Sequence, residues 1–256
     1  MESQKWRLEG KRALVTGGTK GIGFAISQEI LQLGGEICII ARDIERIKSC
    51  TEAWRKQGYE ATGMVVDVSK PDELRQFFRQ LSDRWEALDI LINNAGMNIR
   101  KKAVNYSTEE YRSLTEINMH STFEICCLAH GLLKESNAGS VVNILSVAGL
   151  THLRTGAPYG MSKAAVHQLT KNLAVEWAKD GIRVNAVAPW YTRTAFVEHL
   201  LQDRNYREDI LARTPLGRIA EPAEVAAAAI FFCLPAASFI SGQCLAVDGG
   251  FMVNGF

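Results

Sequence analysis

Short, almost wholly apolar runs alternate along this chain with longer stretches in which apolar residues recur every three or four positions. The short runs predict strands at residues 12–16, 36–41, 61–66, 88–93, 140–145, 183–187 and 243–247. The helical periodicity falls between them, first over residues 22–33. Strands this apolar, joined by helical crossovers, need cover on both faces. The pattern therefore predicts an α/β fold: a doubly wound, seven-stranded parallel sheet with helices on both faces. No repeat, low-complexity tract or linker interrupts it, so residues 1–256 are expected to form a single domain. The irregular segment at about 190–222 is expected to be a small lobe covering substrate above the ligand crevice.

Composition narrows the partners. The chain has 256 residues, 47% hydrophobic and 22% charged, enough for one sizeable core. A formal net charge of +1 argues against a nucleic-acid binder or a cationic membrane-surface protein and leaves small molecules. The six cysteines and five histidines form no Cys-x-x-Cys, His-Glu-x-x-His or zinc-like spacing, so no metal is expected. The polar start has no signal core, and the apolar stretch 225–234 is too short for a bilayer before Pro235. A cytoplasmic protein is expected.

Between the first predicted strand and helix stands Gly17-x-x-x-Gly21-x-Gly23. This spacing suits a turn on a dinucleotide. Gly17 permits the tight turn, Gly21 the approach of backbone to a pyrophosphate, and Gly23 close packing of helix on strand, with phosphate at the positive helix end.

Taken together, Thr16-Gly17-Gly18-Thr19-Lys20-Gly21-Ile22-Gly23, Asn93-Asn94-Ala95-Gly96, Asn118, Ser146, Tyr159-Gly-Met-Ser-Lys163, Pro189 and Val247-Asp248-Gly249-Gly250 resemble the short-chain dehydrogenase/reductases. Trp6–Gly18 and Val184–Tyr191 look most like their tropinone reductase-like group. The resemblance implies a Rossmann-type domain and hydride transfer between a nicotinamide cofactor and a carbonyl or alcohol. It assigns Asn118, Ser146, Tyr159 and Lys163 to catalysis, with Asn118 serving a proton relay through Lys163. It further assigns cofactor contacts to Gly17, Thr19, Lys20, Gly21, Ile22, Gly23, Asp67, Val68, Asn94, Ala95, Gly96, Tyr159, Lys163, Pro189, Thr192 and Thr194, with Asn93 also beside the adenosine ribose. One departure is Leu145, where the family often has a second serine; another is Trp190, where it usually has glycine. Trp190 is either a wall of the nicotinamide pocket or a packing residue beneath the lobe.

The residue types suit that chemistry. Tyr159 and Lys163 are four apart and share a helix face, and Pro158 at the first helical position sets the tyrosine at the positive helix end. Both effects favour a phenolate, lowering a pKa of about 10 by roughly 1–3 units. Tyr159 then donates a proton to a carbonyl oxygen that Ser146, thirteen residues earlier, also holds. At the end of the second strand, Ala41-Arg42 supplies a cation where NAD-preferring members carry a carboxylate, and Lys20 supplies another. NADPH/NADP+ is expected over NADH, unless Asp43 reaches the ribose instead.

The expected substrate wall is Met97, Asn98, His152, Leu153, Trp190, Tyr191, Phe196 and Leu200, with Ser146, His152, Tyr159, Trp190 and Tyr191 touching substrate. It suits a compact cyclic or hydrophobic ketone or alcohol. Residues 152–157 bring no carboxylate to a tropane amine, while Arg100-Lys101-Lys102 and Arg154, unless they are simply a solvated basic run, suit anionic or acyl-carrier substrates and leave a 3-oxoacyl-thioester reductase open. A noncatalytic NADPH-binding regulatory protein is the third reading. The resemblance also implies a homotetramer, or a homodimer, built on long helices near 111–133 and 158–179. The apolar end at 251–256 suits burial against a neighbour.

Overall fold

Seven parallel strands line up in the order β3-β2-β1-β4-β5-β6-β7. They are β1 (Arg12–Thr16), β2 (Glu36–Ala41), β3 (Ala61–Val65), β4 (Ile90–Asn93), β5 (Ser140–Ile144), β6 (Arg183–Pro189) and β7 (Cys244–Val247). The helices between them are α1 (Gly21–Gln32), α2 (Ile44–Lys56), α3 (Pro71–Arg84), α4 (Thr108–Thr115), α5 (Ser121–Glu135), α6 (Ala157–Glu176), α7 (Glu198–Leu201), α8 (Arg204–Ala212) and α9 (Pro222–Cys233). This computed structural model describes residues 4–255. Residues 1–3 of the polar start and Phe256 of the apolar end lie outside the described residues.

Strand side chains alternate between two cores. Ala13, Val15, Ile37 and Ile39 pack with α1 and α9 through Ile26, Ile30, Ala226 and Ile230. Leu14, Cys38 and Ile40 face the other way, onto Phe77 and Leu81 of α3, Cys126 and Ala129 of α5, and Leu173 of α6. Burial on both faces explains why these strands read as continuous apolar runs. The order reverses between β1 and β4, so their carboxyl ends open the crevice where such sheets bind ligands.

The strand boundaries differ from expectation by small shifts with identifiable causes. Leu88 leaves the sheet because its N–H donates to the Leu132 carbonyl at 2.9 Å. β6 runs on to Pro189 because its pairing with β7 continues to Val247. The helix expected around 111–133 is two helices, joined by a π-helical turn over Glu116–His120. Pro158 is the second residue of α6, not the first. The segment after β6 is not irregular throughout: Leu201 of α7 and Ile210 of α8 are buried with Val197, just before α7, and Ile219 in a small cluster.

Candidate active site

The glycine loop is tied to the loop after β4. Thr16 Oγ1 accepts from the N–H groups of Asn94 and Ala95, each at 2.9 Å. Asn94 Nδ2 donates back to the carbonyls of Thr16 (3.0 Å) and Gly17 (3.2 Å). A Cβ on Gly23 would overlap both Asn94 Nδ2 and the Gly17 carbonyl, so glycine is required for α1 to lie this close. The Asn94 amide is thus committed to the loop. Asn93, expected beside the adenosine ribose, points into the core, where Nδ2 donates to Asn143 Oδ1 at 2.9 Å. Neighbouring residues at a strand end face opposite sides, and only one can line the crevice.

The first turn of α1 has no acidic residue, and Lys20 at its start offers no side-chain cap. Its leading N–H groups therefore face the cleft with their hydrogen-bonding capacity unused, which suits an anionic diphosphate. At the far end of the crevice, Arg42 and Lys20 are exposed and form no ion pair among the described residues. Asp43 caps α2, accepting from the Arg46 N–H at 3.1 Å and pairing with its guanidinium at 3.1 Å. After β3, Asp67 accepts from the N–H and hydroxyl of Ser69 at 3.0 and 2.7 Å, and Val68 is buried beside it. Burial pushes the Asp67 carboxyl up, but the Ser69 hydrogen bonds and the charges of Arg42 and Lys70 outweigh it and hold it below the usual range.

Ser146, two residues beyond the end of β5, caps a single 3-10 turn, Val147–Gly149, its Oγ accepting from the Ala148 N–H at 3.1 Å. This turn packs on the start of α6 without room for side chains. A Cβ on Gly149 would stand 2.7 Å from the Lys163 carbonyl carbon, and one on Gly160 would stand 2.9 Å from the Ala148 carbonyl oxygen. These two glycines set Ser146 opposite Tyr159 and were not singled out in the sequence. Lys163 is buried, and its Nζ donates to the Ile144 carbonyl at 2.8 Å.

The expected lowering of the Tyr159 pKa is not met. Burial pushes the phenol up, with the Ser146 hydroxyl and the Arg100 charge opposing. Lys163 does not offset this: Nζ lies 5.8 Å from the ring centroid, and burial lowers its own pKa to about 8. Desolvation, which disfavours either charge, dominates both residues.

Asn118 lies in the π-helical turn, where the extra residue swings its side chain out of the ordinary helical row. Its amide clamps the Met97 backbone, accepting from N–H and donating to C=O, both at 2.8 Å. It makes no hydrogen bond with Lys163. Both face the same point, since a Cβ on Gly96 would stand 3.2 Å from Asn118 Oδ1 and 3.8 Å from Lys163 Nζ.

Two cavities meet at this point. One runs along Gly17, Lys20, Gly21, Asn94, Ala95, Gly96 and Lys163. The other is lined by Arg100, Ser146, Leu153, Thr155, Pro189, Trp190, Tyr191, Thr192 and Val197. Ile22, Leu145, Tyr159, Thr194 and Phe196 border both. Trp190 combines the two roles left open for it. It walls the second cavity while its ring stacks on Phe251 at 3.8 Å and Nε1 donates to Thr214 Oγ1 at 3.0 Å.

His152 is a correction. It is exposed and lines not the second cavity but an adjoining one, with Arg154, Tyr206 and Asp209, that shares Leu153, Trp190 and Tyr191 with it; side chains alternate along 152–155, and Leu153 and Thr155 are the ones that reach the second cavity. Met97 and Leu200 likewise do not line the second cavity, whereas Arg100, Leu145 and Thr155 do. No local signal marked Thr155, whereas Leu145 stood out only as a departure from the family and Arg100 only as part of a basic run, neither with a place in the cavity.

Among the described residues, no helix is long and apolar enough to cross a membrane, and no group of His, Cys, Asp and Glu could hold a metal. The family model described as enoyl-(acyl carrier protein) reductase matches residues 17–252. A tropinone reductase homolog of Arabidopsis thaliana is 48% identical over 100% of this chain and 98% of its own length. A second from that plant, named as chloroplastic, is 46% identical over 99% of this chain and 79% of its own length. The crystal structure of a gluconate 5-dehydrogenase from Burkholderia cenocepacia, in complex with NADP and tartrate, superposes with a TM-score of 0.95 at 32% identity, covering 99% of each chain. With the strand order and the Ser-Tyr-Lys arrangement, these similarities identify the chain as an NAD(P)-dependent oxidoreductase belonging to the short-chain dehydrogenase/reductase family, and within it the chain resembles the tropinone reductase-like group.

Proposed function

We propose that this protein reduces a compact cyclic or hydrophobic ketone to a secondary alcohol, with NADPH as reductant and Tyr159 as general acid. The observation that carries the reading is the meeting of the two cavities at Tyr159, where a donor in one would face an acceptor in the other. Bound nicotinamide would supply the hydride. Ser146 and Tyr159 hold the carbonyl oxygen from one side, so that negative charge develops against two hydroxyl donors in a largely apolar cavity. Burial keeps the Tyr159 phenol protonated at neutral pH, the state a proton donor needs. Lys163, with Asn118 facing the same point beside Gly96, then serves to return a proton to Tyr159. The segment carrying α7 and α8 acts as the cover of the substrate cavity within one domain.

The preference for NADPH rests on Arg42 and Lys20, both exposed and free of ion pairs among the described residues, while Asp43 is occupied as a helix cap. Two cations without a free carboxylate suit the ribose 2′-phosphate. The NADP named for the gluconate 5-dehydrogenase complex agrees. A 3-oxoacyl-thioester reductase has less support, because Lys101 pairs with Glu110 and Arg154 with Asp209.

The test is loss of reduced-nicotinamide absorbance with NADPH and NADH over cyclic ketones, amino ketones, quinones and 3-oxoacyl thioesters. Turnover is expected with NADPH and a cyclic ketone, and Tyr159→Phe should lower it at least ~1000-fold while NADPH still binds. Binding without turnover of any carbonyl would instead mark a noncatalytic regulator. For assembly we propose a homotetramer. Phe123 on α5, Val175 on α6 and Val253 near the end are 54, 79 and 87% exposed, apolar positions that neighbouring copies would cover. Light scattering should give four times the protomer mass, and a monomer at working concentration rejects the assembly.

A further inference from the structure

Four cations stand near the substrate cavity in sequence, and the structure separates them. Lys101 pairs with Glu110. Lys102 is exposed. Arg154 pairs with Asp209 at 2.8 Å and lies over the Tyr206 ring, outside the cavity. Arg100 alone turns inward. It lines the cavity, with its guanidinium carbon 5.6 Å from the Phe196 centroid. It forms no ion pair among the described residues, and its Nε is sealed from solvent without a hydrogen-bond partner.

The loop holds this arrangement in place. Asn98 Nδ2 donates to Thr155 Oγ1 at 2.6 Å and the Tyr106 hydroxyl donates to the Ile99 carbonyl, fixing the backbone leading into Arg100. No aspartate or glutamate lines the cavity, so this guanidinium is its single formal charge. Its field reaches the reacting end: burial raises the phenols of Tyr159 and Tyr191, and Arg100 opposes the rise in both. A guanidinium that lines a cavity otherwise apolar or hydroxylic without an ion-pair partner is poorly compensated there and would be satisfied by an anion.

We propose that Arg100 is a specificity-determining residue that receives a carboxylate, so that the substrate is a keto acid or the corresponding hydroxy acid and not a cationic amino ketone. The proposal rests on the reading of the adjoining site as a ketone reductase. A carboxylate matches the single charge and the planar fork of a guanidinium, whereas a dianionic phosphate would leave charge uncompensated in an apolar cavity.

Calorimetric titration of the NADP+-loaded protein with cyclohexanecarboxylate, cyclohexanecarboxamide and cyclohexyl phosphate tests it directly. The carboxylate is expected to bind at least ~10-fold more tightly than the amide, and Arg100→Met should remove that preference. Arg100→Lys, which keeps the charge without the fork, should retain part of it. Thermal melting checks that each variant is folded. Equal affinity for carboxylate and amide, a persisting preference in Arg100→Met, or tighter binding of the phosphate would each overturn the proposal. A kinetic arm compares kcat/KM for 3-oxocyclohexanecarboxylate and its methyl ester, where the acid should be favoured ~30-fold in wild type and the ratio should collapse in Arg100→Met. An Arg100-dependent carboxylate site in a protein that reduces neither ketone breaks the ketone-reductase reading alone. Tyr159-dependent reduction that favours the ester breaks the carboxylate proposal alone.

Discussion

The two cavities that meet at Tyr159 are built by different means. The cofactor-side cleft is walled by backbone and small residues of two adjacent turns, after β1 and after β4, which Thr16 and Asn94 lace together with four hydrogen bonds. The other cavity is walled by larger side chains from separate stretches, among them Arg100, Leu153, Trp190, Tyr191 and Phe196. One wall is a property of chain geometry, stiff because its polar groups are bonded to one another. The other is a property of side-chain identity. Side chains of the second wall can therefore be replaced without disturbing the bonded framework of the first.

The comparison breaks most sharply at Gly23. Gly23→Val would drive methyl groups into Asn94 Nδ2 and the Gly17 carbonyl, so it should weaken NADP+ binding at least ~100-fold and destabilise by about 1–3 kcal/mol. Leu153→Ala, in the other wall, should raise the ketone KM about 10-fold while the NADP+ Kd stays within about 2-fold. Titration and melting of the two variants side by side would measure the contrast, and a loss of cofactor affinity in Leu153→Ala would dissolve it. A smaller effect is expected at the outer end of the cofactor cleft. Arg42→Ala should raise the KM for NADPH about 10- to 30-fold and leave that for NADH nearly constant, as an exposed charge-assisted contact would.

The smallest effect concerns the boundary between the cavities. Burial lowers the Lys163 pKa from 10.5 to about 8 in the folded protein. Between these values the unfolded chain binds more protons than the folded one, so stability rises with pH across that window, and the cost of burying the charge is fully present below about 8. Lys163→Met, which removes this titration, should therefore gain relative to wild type most at pH ~7 and least at pH ~10. Parallel melting curves of the cofactor-free proteins would give the sign, and a gain independent of pH would show that Lys163 is not held as a desolvated amine.

Much of this site was legible before any tertiary contact was known. The glycine loop could be read because strand, turn and helix are contiguous, and Tyr159 and Lys163 because a helix puts residues four apart on one face. Arg42 is exposed after β2, where the sequence placed it, while only the structure showed that Asp43 is engaged as the cap of α2. Asn118 was legible as a residue but not as a conformation, because its π-helical turn has no spacing signature. The pKa of Tyr159 was misjudged because charge proximity can be inferred from spacing, whereas desolvation depends on everything that surrounds the ring.

The order of strands and helices along the chain, the glycine loop and the shared helix face of Tyr159 and Lys163 followed from the sequence by itself, since each rests on periodicity or on contacts within a few residues. Which neighbour faces the crevice was decided only by tertiary packing: Asn94 and not Asn93, Leu153 and Thr155 and not His152, Arg100 and not Lys101. The physical reason is that a one-residue change in facing reverses a side chain's environment while leaving composition and spacing almost untouched. The glycine loop and the Tyr-Lys helix face are encoded locally, whereas the lining of the second cavity arises from how distant segments turn their side chains toward Tyr159.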